Sequence, residues 1–207
     1  MHKQSFRGLL WTLALIGLTV DVSSKYVVFH WLYNEGRGGE YVVIPGMFEF
    51  LAQFTPEEDA GDDILSSLRT LSGRHLPRVN HGALFGFAGS TGSIANTVFA
   101  VISALAAVAI IYWSTLPTTV RDLPLSASLG LILGGTLGNL FDRVVFNGVR
   151  DFIHWHFKDQ FDWPVFNIAD CCLVCGAFLL LVQAYWQTGA AEGEAAEEAS
   201  TAISKVA

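Results

Sequence analysis

Four apolar stretches, each long enough to cross a bilayer as a helix, constrain this chain more than any other feature of its 207 residues. They run from about Leu9 to Leu32, Ser93 to Trp113, Leu123 to Phe141 and Trp163 to Gln187. About 20 residues of helix span roughly 30 Å of hydrocarbon, and a segment inside lipid must satisfy its own backbone hydrogen bonds. The two-residue alternation of a membrane β-barrel is absent. The pattern therefore predicts an all-α membrane protein built on a four-transmembrane-helix bundle. The N-terminus has the basic start and apolar run of a cleavable signal peptide, but "YVVFHWLY" continues the run past Lys25 and favours a retained helix.

The net charge of −7 is concentrated in "EEDAGDD" (57–63) and "AAEGEAAEEAS" (190–200), so it does not describe the membrane-embedded surface. Residues 188–207 are expected to form an acidic, disordered cytoplasmic tail, leaving 1–187 as the membrane domain. No basic face for nucleic acid is present. Cys171, Cys172 and Cys175 fall within about one turn of the fourth segment. Neighbouring helical positions do not give disulfide geometry, and no further ligands complete a tetrahedral thiolate site, so they read as small packing residues. Lys3 and Arg7 before the first span and Arg121 between the second and third place both termini in the cytoplasm. The basic residues of the long first loop count little in that rule.

With that topology, ionisable residues collect toward the extracytoplasmic ends of the spans. Asp21 and Lys25 are four apart, share a helix face, and fit an internal ion pair as well as a functional one. Gly130, Gly134 and Gly138 recur every fourth residue and form a smooth stripe for close helix approach. Asn139, Asp142 and Arg143 follow, as fitting for a structural brace as for catalysis. Asp151 lies just outside the third span. Asp170 lies near the start of the fourth, where a lone carboxylate costs about 2.5 to 3.5 kcal/mol on insertion scales. The aromatic connection "FIHWHFKDQFDWPVF" can fold back and let the two carboxylates meet. Two such groups in a weakly polar site share a proton and can activate water as a general base. A small membrane transporter with ionisable residues in its bundle is the alternative reading. It normally needs polar groups reaching both faces, whereas these cluster near one.

The blocks "DVSSK" (21–25), "NHGALF" (80–85), "GGTLGNLFDR" (134–143), "VRDFI" (149–153) and "FNIAD" (166–170) occur in one order on four apolar segments. That ordered set resembles the bacterial lipoprotein signal peptidases, the signal peptidase II family. The resemblance implies an intramembrane aspartic endopeptidase of the bacterial cytoplasmic (inner) membrane, with its active site toward the extracytoplasmic side. It would cut diacylglyceryl-modified prolipoproteins just before the lipid-bearing cysteine and need no metal or cofactor. It places the catalytic pair on Asp151 and Asp170. Asp21, Lys25, Asn80, Gly82, Asn139, Asp142, Arg143 and Asn167 would brace the site or contact substrate. Asn167, three residues before Asp170, shares its helix face.

Residues 52–78 form an insertion where the resembled family has only a few residues. Ile64, Leu65, Leu68 and Leu71 predict a short amphipathic helix there, on an extracytoplasmic lid or cradle extension in which β structure is allowed. Cys171 stands where a serine is usual. His81 reads as a solvent-facing loop residue, with general base as its alternative role.

Overall fold

The computed structural model describes residues 4–59, 61–82, 92–158 and 160–206, and their side chains except those of 56–59, 92 and 189–206. Among the described residues, four helices are long and apolar enough to cross a membrane: α1 (Arg7–Trp31), α3 (Gly92–Trp113), α5 (Leu123–Phe146) and the first part of α6 (Ile168–Val206). Between α1 and α3 lie β1 (Gly39–Ile44), β2 (Phe48–Ala52), β3 (Phe54–Asp59), α2 (Ser66–Arg69) and β4 (His75–Pro77). The one-turn α4 (Pro117–Val120) precedes α5, and β5 (Ile153–Phe157) and β6 (Phe161–Asp162) precede α6.

The bundle is organised around α5, against which α1, α3 and α6 all pack. Its start is set by Asp122, whose carboxylate accepts from the Leu125 backbone N–H at 2.9 Å, and its end by Asn147 in the left-handed conformation (φ 57°). The glycine stripe meets α1. A Cβ on Gly134 would lie 2.9 Å from the Ala14 carbonyl oxygen and 3.2 Å from the Gly17 Cα, and one on Gly138 would run into the Asp21 carboxylate. Only hydrogen at these positions allows the two backbones to come this close, as the sequence pattern implies. On α1 the buried residues are Leu10, Ala14, Gly17, Asp21, Lys25, Val28 and Phe29, one face at helical spacing. By contrast α3 exposes Ile94, Val98, Val101, Ile102, Leu105 and Val108, the surface of a helix that faces lipid.

One end of the bundle is closed by polar contacts among α1, the α3–α5 connection and α6. Arg7 Nε donates to the Ser114 carbonyl at 2.9 Å, and Gln183 Nε2 donates to Asp122 Oδ2 at 2.6 Å. The opposite end carries the β structure: a four-stranded antiparallel sheet in the order β1-β2-β5-β6, and the β3–β4 pair. Val28, Phe29, Leu32, Ala52, Phe54, Phe152 and Ile153 form a second apolar core that fastens this cradle to the end of α1.

Four segments differ from the sequence-based expectation. Helix α5 continues to Phe146 rather than stopping near Phe141, and α6 begins at Ile168 because residues 161–166 are taken by β6 and a backbone bridge from Phe166 to Ile153. In the insertion, helix is confined to Ser66–Arg69 and a 3-10 turn over Thr70–Ser72, with Ile64 and Leu71 exposed. Local hydroxyl bonding such as Thr70 Oγ1 to the Ser67 carbonyl (3.1 Å) and Gly73 at φ 142° end it early. Along the acidic tail the backbone is helical to Val206, where composition leaves it unstructured. Alanine and glutamate are strong helix formers, and extending α6 requires no new nucleus.

Candidate active site

Two backbone bridges assemble the site where the cradle meets the bundle. Asn80 and Val149 exchange backbone hydrogen bonds of 2.8 and 2.9 Å, which lays the residue 80 loop along the exit from α5. Phe166 and Ile153 exchange bonds of 2.9 and 3.0 Å, which brings the chain entering α6 beside the same segment. Asp151 therefore sits between the Asn80 loop and Asn167, and the aromatic connection folds back as its composition suggests.

Asn167 is the hinge of the arrangement. Its side-chain oxygen accepts from the Asp170 N–H at 3.0 Å, while Asp170 Oδ2 accepts from the Asn167 N–H at 3.2 Å. This is a reciprocal capping box at the start of α6, built with Asn and Asp in place of Ser and Glu. The remaining donor group, Asn167 Nδ2, reaches Asp151 Oδ1 at 2.6 Å and Asn139 Oδ1 at 3.2 Å. Asn139 Nδ2 in turn donates to Asp170 Oδ1 at 2.9 Å. Both aspartates are half-buried and both are held by amides that only donate to them.

The third amide, Asn80, donates from Nδ2 to Asp151 Oδ2 at 3.0 Å and accepts the Gly82 N–H on Oδ1 at 2.8 Å, which fixes which end of the amide faces the carboxylate. Gly82 holds φ 102°, and a Cβ there would strike the Phe99 ring. Burial pushes Asp151 up to about 6, and the nearby negative charge of Asp170 adds to the rise. The Asn80 and Asn167 hydrogen bonds to the charged form act against it. The rest of that sequence block, Ala83 to Phe85, lies outside the described residues.

Behind the carboxylates lies a fully buried ionic cluster. Lys25 Nζ is 2.7 Å from Asp21 Oδ2, 3.4 Å from Asp142 Oδ2 and 3.2 Å from Asn139 Oδ1. Asp21 Oδ1 accepts the Ala169 N–H at 2.8 Å and so ties α1 to the first turn of α6. Asp142 is gripped by Arg150, whose Nη2 lies 2.8 Å from Oδ1 and whose backbone N–H lies 2.9 Å from Oδ2. The Arg150 guanidinium is stacked against Phe146 (3.9 Å) and Tyr26 (4.3 Å), and its Nη1 donates to Ser72 Oγ at 3.0 Å. Two acids and two bases leave the cluster neutral, as burial demands.

The cluster includes two residues that sequence reasoning did not single out. Arg150 belongs to the "VRDFI" block but pairs eight positions back across a helix end, where no periodicity applies. Ser72 comes from the insertion, so the lid expected over residues 52–78 is wired into the site rather than laid over it. Further contacts hold it there: Tyr26 Oη donates to the Leu68 carbonyl (3.0 Å) and Arg69 Nε to the Val145 carbonyl (2.6 Å). Arg143 does not share the Asp142 contacts. It donates to Asn96 Oδ1 at 3.2 Å and covers the Phe99 ring at 5.0 Å, because adjacent helical residues point about 100° apart. His81 Nδ1 lies 2.7 Å from the Asn147 carbonyl oxygen, which makes it a backbone anchor.

Residues 74–186 match the family model described as signal peptidase (SPase) II. The chain belongs to the signal peptidase II family. It is 36% identical over 199 residues to a lipoprotein signal peptidase of Rhodopirellula baltica, an alignment that takes in 91% of this chain and 76% of the relative. It is 43% identical over 103 residues to one from Dichelobacter nodosus, covering 50% of this chain and 65% of that one. Among solved structures, a bacterial membrane enzyme superposes with a TM-score of 0.65 at 25% identity, covering 91% of this chain and 94% of the other. A second bacterial membrane enzyme, at 24% identity and a TM-score of 0.62, shares the fold. Family membership makes this a bacterial membrane protease. The matched stretch contains Asn80, Gly82, Asn139, Asp142, Arg143, Asp151, Asn167 and Asp170; Asp21 and Lys25 precede it and join the site through the packing of α1.

Proposed function

We propose that the protein is an intramembrane aspartic endopeptidase that removes signal peptides from diacylglyceryl-modified prolipoproteins, cutting before the lipidated cysteine. The observation that carries this reading is the pair of half-buried carboxylates, Asp151 and Asp170, held by one residue: Asn167 donates to Asp151 through its side-chain Nδ2 (2.6 Å) and to Asp170 through its backbone N–H (3.2 Å). Asp170 stands in the first turn of α6 and accepts hydrogen bonds from the Asn139 amide (2.9 Å) and the Asn167 N–H (3.2 Å), which hold its carboxylate in place as the base. Asp151, with its pKa raised to about 6, carries the shared proton, and a lipid-bearing substrate that expels water strengthens its hold.

In the hydrolytic step Asp170 takes a proton from water as the water oxygen attacks the scissile carbonyl carbon. Asp151 gives its proton to the carbonyl oxygen. Collapse of the tetrahedral intermediate breaks the C–N bond: the proton on Asp170 passes to the leaving nitrogen, and one hydroxyl of the gem-diol returns its proton to Asp151 as the C=O bond reforms, which restores the starting state. Asn80, Asn139 and Asn167 keep the carboxylates oriented, Gly82 shapes the Asn80 turn, and Asp21, Lys25 and Asp142 support the amides from behind. Arg143, which interacts electrostatically with both Asp151 and Asp170, supplies positive charge on the side where an oxyanion develops. No metal or cofactor takes part, and the site faces the extracytoplasmic side, where lipidated precursors present their cleavage region.

The test is cleavage of a diacylglyceryl-modified prolipoprotein by detergent-purified protein, with an unlipidated precursor beside it. Wild type should cut only the lipidated substrate, and Asp151→Asn and Asp170→Asn should each lose activity while keeping the wild-type melting transition. Substantial turnover by either variant removes the dyad mechanism.

A further inference from the structure

A second constellation stands on the cradle, apart from the aspartates. Glu49 of β2 is directly opposite His154 of β5 in the antiparallel register, and His156 opposes Asp162 of β6. Side chains two apart on a strand share a face, so Glu49, His154, His156 and Asp162 all project from one side of the sheet. Phe48, Phe50, Ile153 and Trp155 occupy the other side. The ligand atoms of Glu49, His154 and His156 lie within 4.8 Å of one another, and the two imidazole rings are stacked with centroids 4.9 Å apart. Among the described residues no other such group of three forms.

We propose that Glu49, His154 and His156 bind a zinc-class divalent cation, with Asp162 as the carboxylate that orients His154. Two imidazoles and one carboxylate are a donor set suited to Zn²⁺ and its first-row neighbours, with water completing the coordination. The decisive feature is the position of Asp162. Its Oδ1 lies 2.7 Å from His154 Nε2, while His154 Nδ1 lies 2.8 Å from Glu49 Oε1. A histidine ligand characteristically donates its far N–H to a carboxylate, which fixes the ring and makes the near nitrogen a better ligand. Here the near nitrogen, Nδ1, is the one that faces Glu49.

In the metal-free protein His154 Nδ1 and Glu49 Oε1 lie within hydrogen-bond distance, and a proton held between them occupies the position the cation takes. The cation replaces that proton, which leaves to solvent. Metal–ligand bonds of about 2.0 to 2.2 Å at tetrahedral angles need ligand atoms roughly 3.4 Å apart. Glu49 and His154 must therefore part by several tenths of an ångström and His156 must rotate inward, both small movements for partly exposed side chains. The bound cation would clamp β2 to β5 and, through Asp162, β6. Strand β5 begins two residues after Asp151, so the clamp stiffens the strand that directly follows that aspartate.

The test uses the full-length protein purified on a tag without histidines and stripped with a chelator. Zn²⁺ is titrated in competition with a chromophoric chelator, and thermal unfolding is followed with and without the metal. The expected result is one equivalent bound at micromolar affinity or tighter, with a rise in Tm on saturation. Glu49→Gln, His154→Phe and His156→Phe should each weaken binding at least tenfold, and Asp162→Asn by about 10- to 100-fold. The metal-free Tm of each variant reports that it is folded. A Cys171→Ser, Cys172→Ser, Cys175→Ser variant should bind as wild type does. Absence of saturable one-to-one binding, or binding that survives the histidine changes and disappears with the cysteines, overturns the assignment.

Discussion

Replacing Lys25 with methionine tests how the buried cluster supports the site. Methionine keeps most of the side-chain volume and removes the charge. Lys25, Asp21, Asp142 and Arg150 are all fully buried and sum to zero charge, so the variant leaves one uncompensated negative charge with Asp21 losing its 2.7 Å partner. Removing one member of a buried pair costs about 3 to 5 kcal/mol. For a chain of this size about 2 to 4 °C accompanies each kcal/mol, so Tm should fall by about 6 to 20 °C. The double variant Asp21→Asn, Lys25→Met restores neutrality and keeps an acceptor for the Ala169 N–H, and it should recover much of the loss. Differential scanning calorimetry of wild type, Lys25→Met, Asp21→Asn and the double variant in one detergent gives the coupling directly. The cleavage rate adds a second readout. Lys25 and Asn167 both hold Asn139 Oδ1, which turns Asn139 Nδ2 toward Asp170. The double variant should therefore regain stability but not full activity. A single variant that melts within about 2 °C of wild type, or a double variant no more stable than the single, would refute the reasoning.

Asn80→Ala removes a hydrogen bond that favours the charged form of Asp151, so its pKa should climb above about 6 and the alkaline limb of kcat/KM should move to higher pH. A limb that stays or moves down would contradict the proposed protonation order. Ser72→Ala strips Arg150 Nη1 of its partner inside a fully buried site and should cost about 1 to 3 kcal/mol in thermal unfolding. An unchanged Tm would mean that the insertion merely covers the site. Gly134→Ala puts a methyl group 2.9 Å from the Ala14 carbonyl, and the forced separation of α1 and α5 should cost about 1 to 3 kcal/mol, measured the same way.

Apolar length alone determined the four spans and their helical form, because lipid leaves a backbone few other ways to satisfy its hydrogen bonds. The glycine stripe and the Asp21–Lys25 pair were equally legible, since both are properties of one helix face at fixed spacing. The ordered polar blocks pointed to Asp151, Asp170 and the asparagines before any contact was visible. Only the tertiary structure decided how these residues are connected. Asp142 pairs with Arg150 instead of sharing a brace with Arg143, because the chain reverses after Asn147 and returns the guanidinium to the helix it has just left. Ser72 reaches the same cluster from 78 positions away, and the Glu49, His154, His156 and Asp162 group exists only through the pairing of three strands. Local spacing reports which side chains share a face of one element. Which faces meet is set by packing between elements distant in the chain.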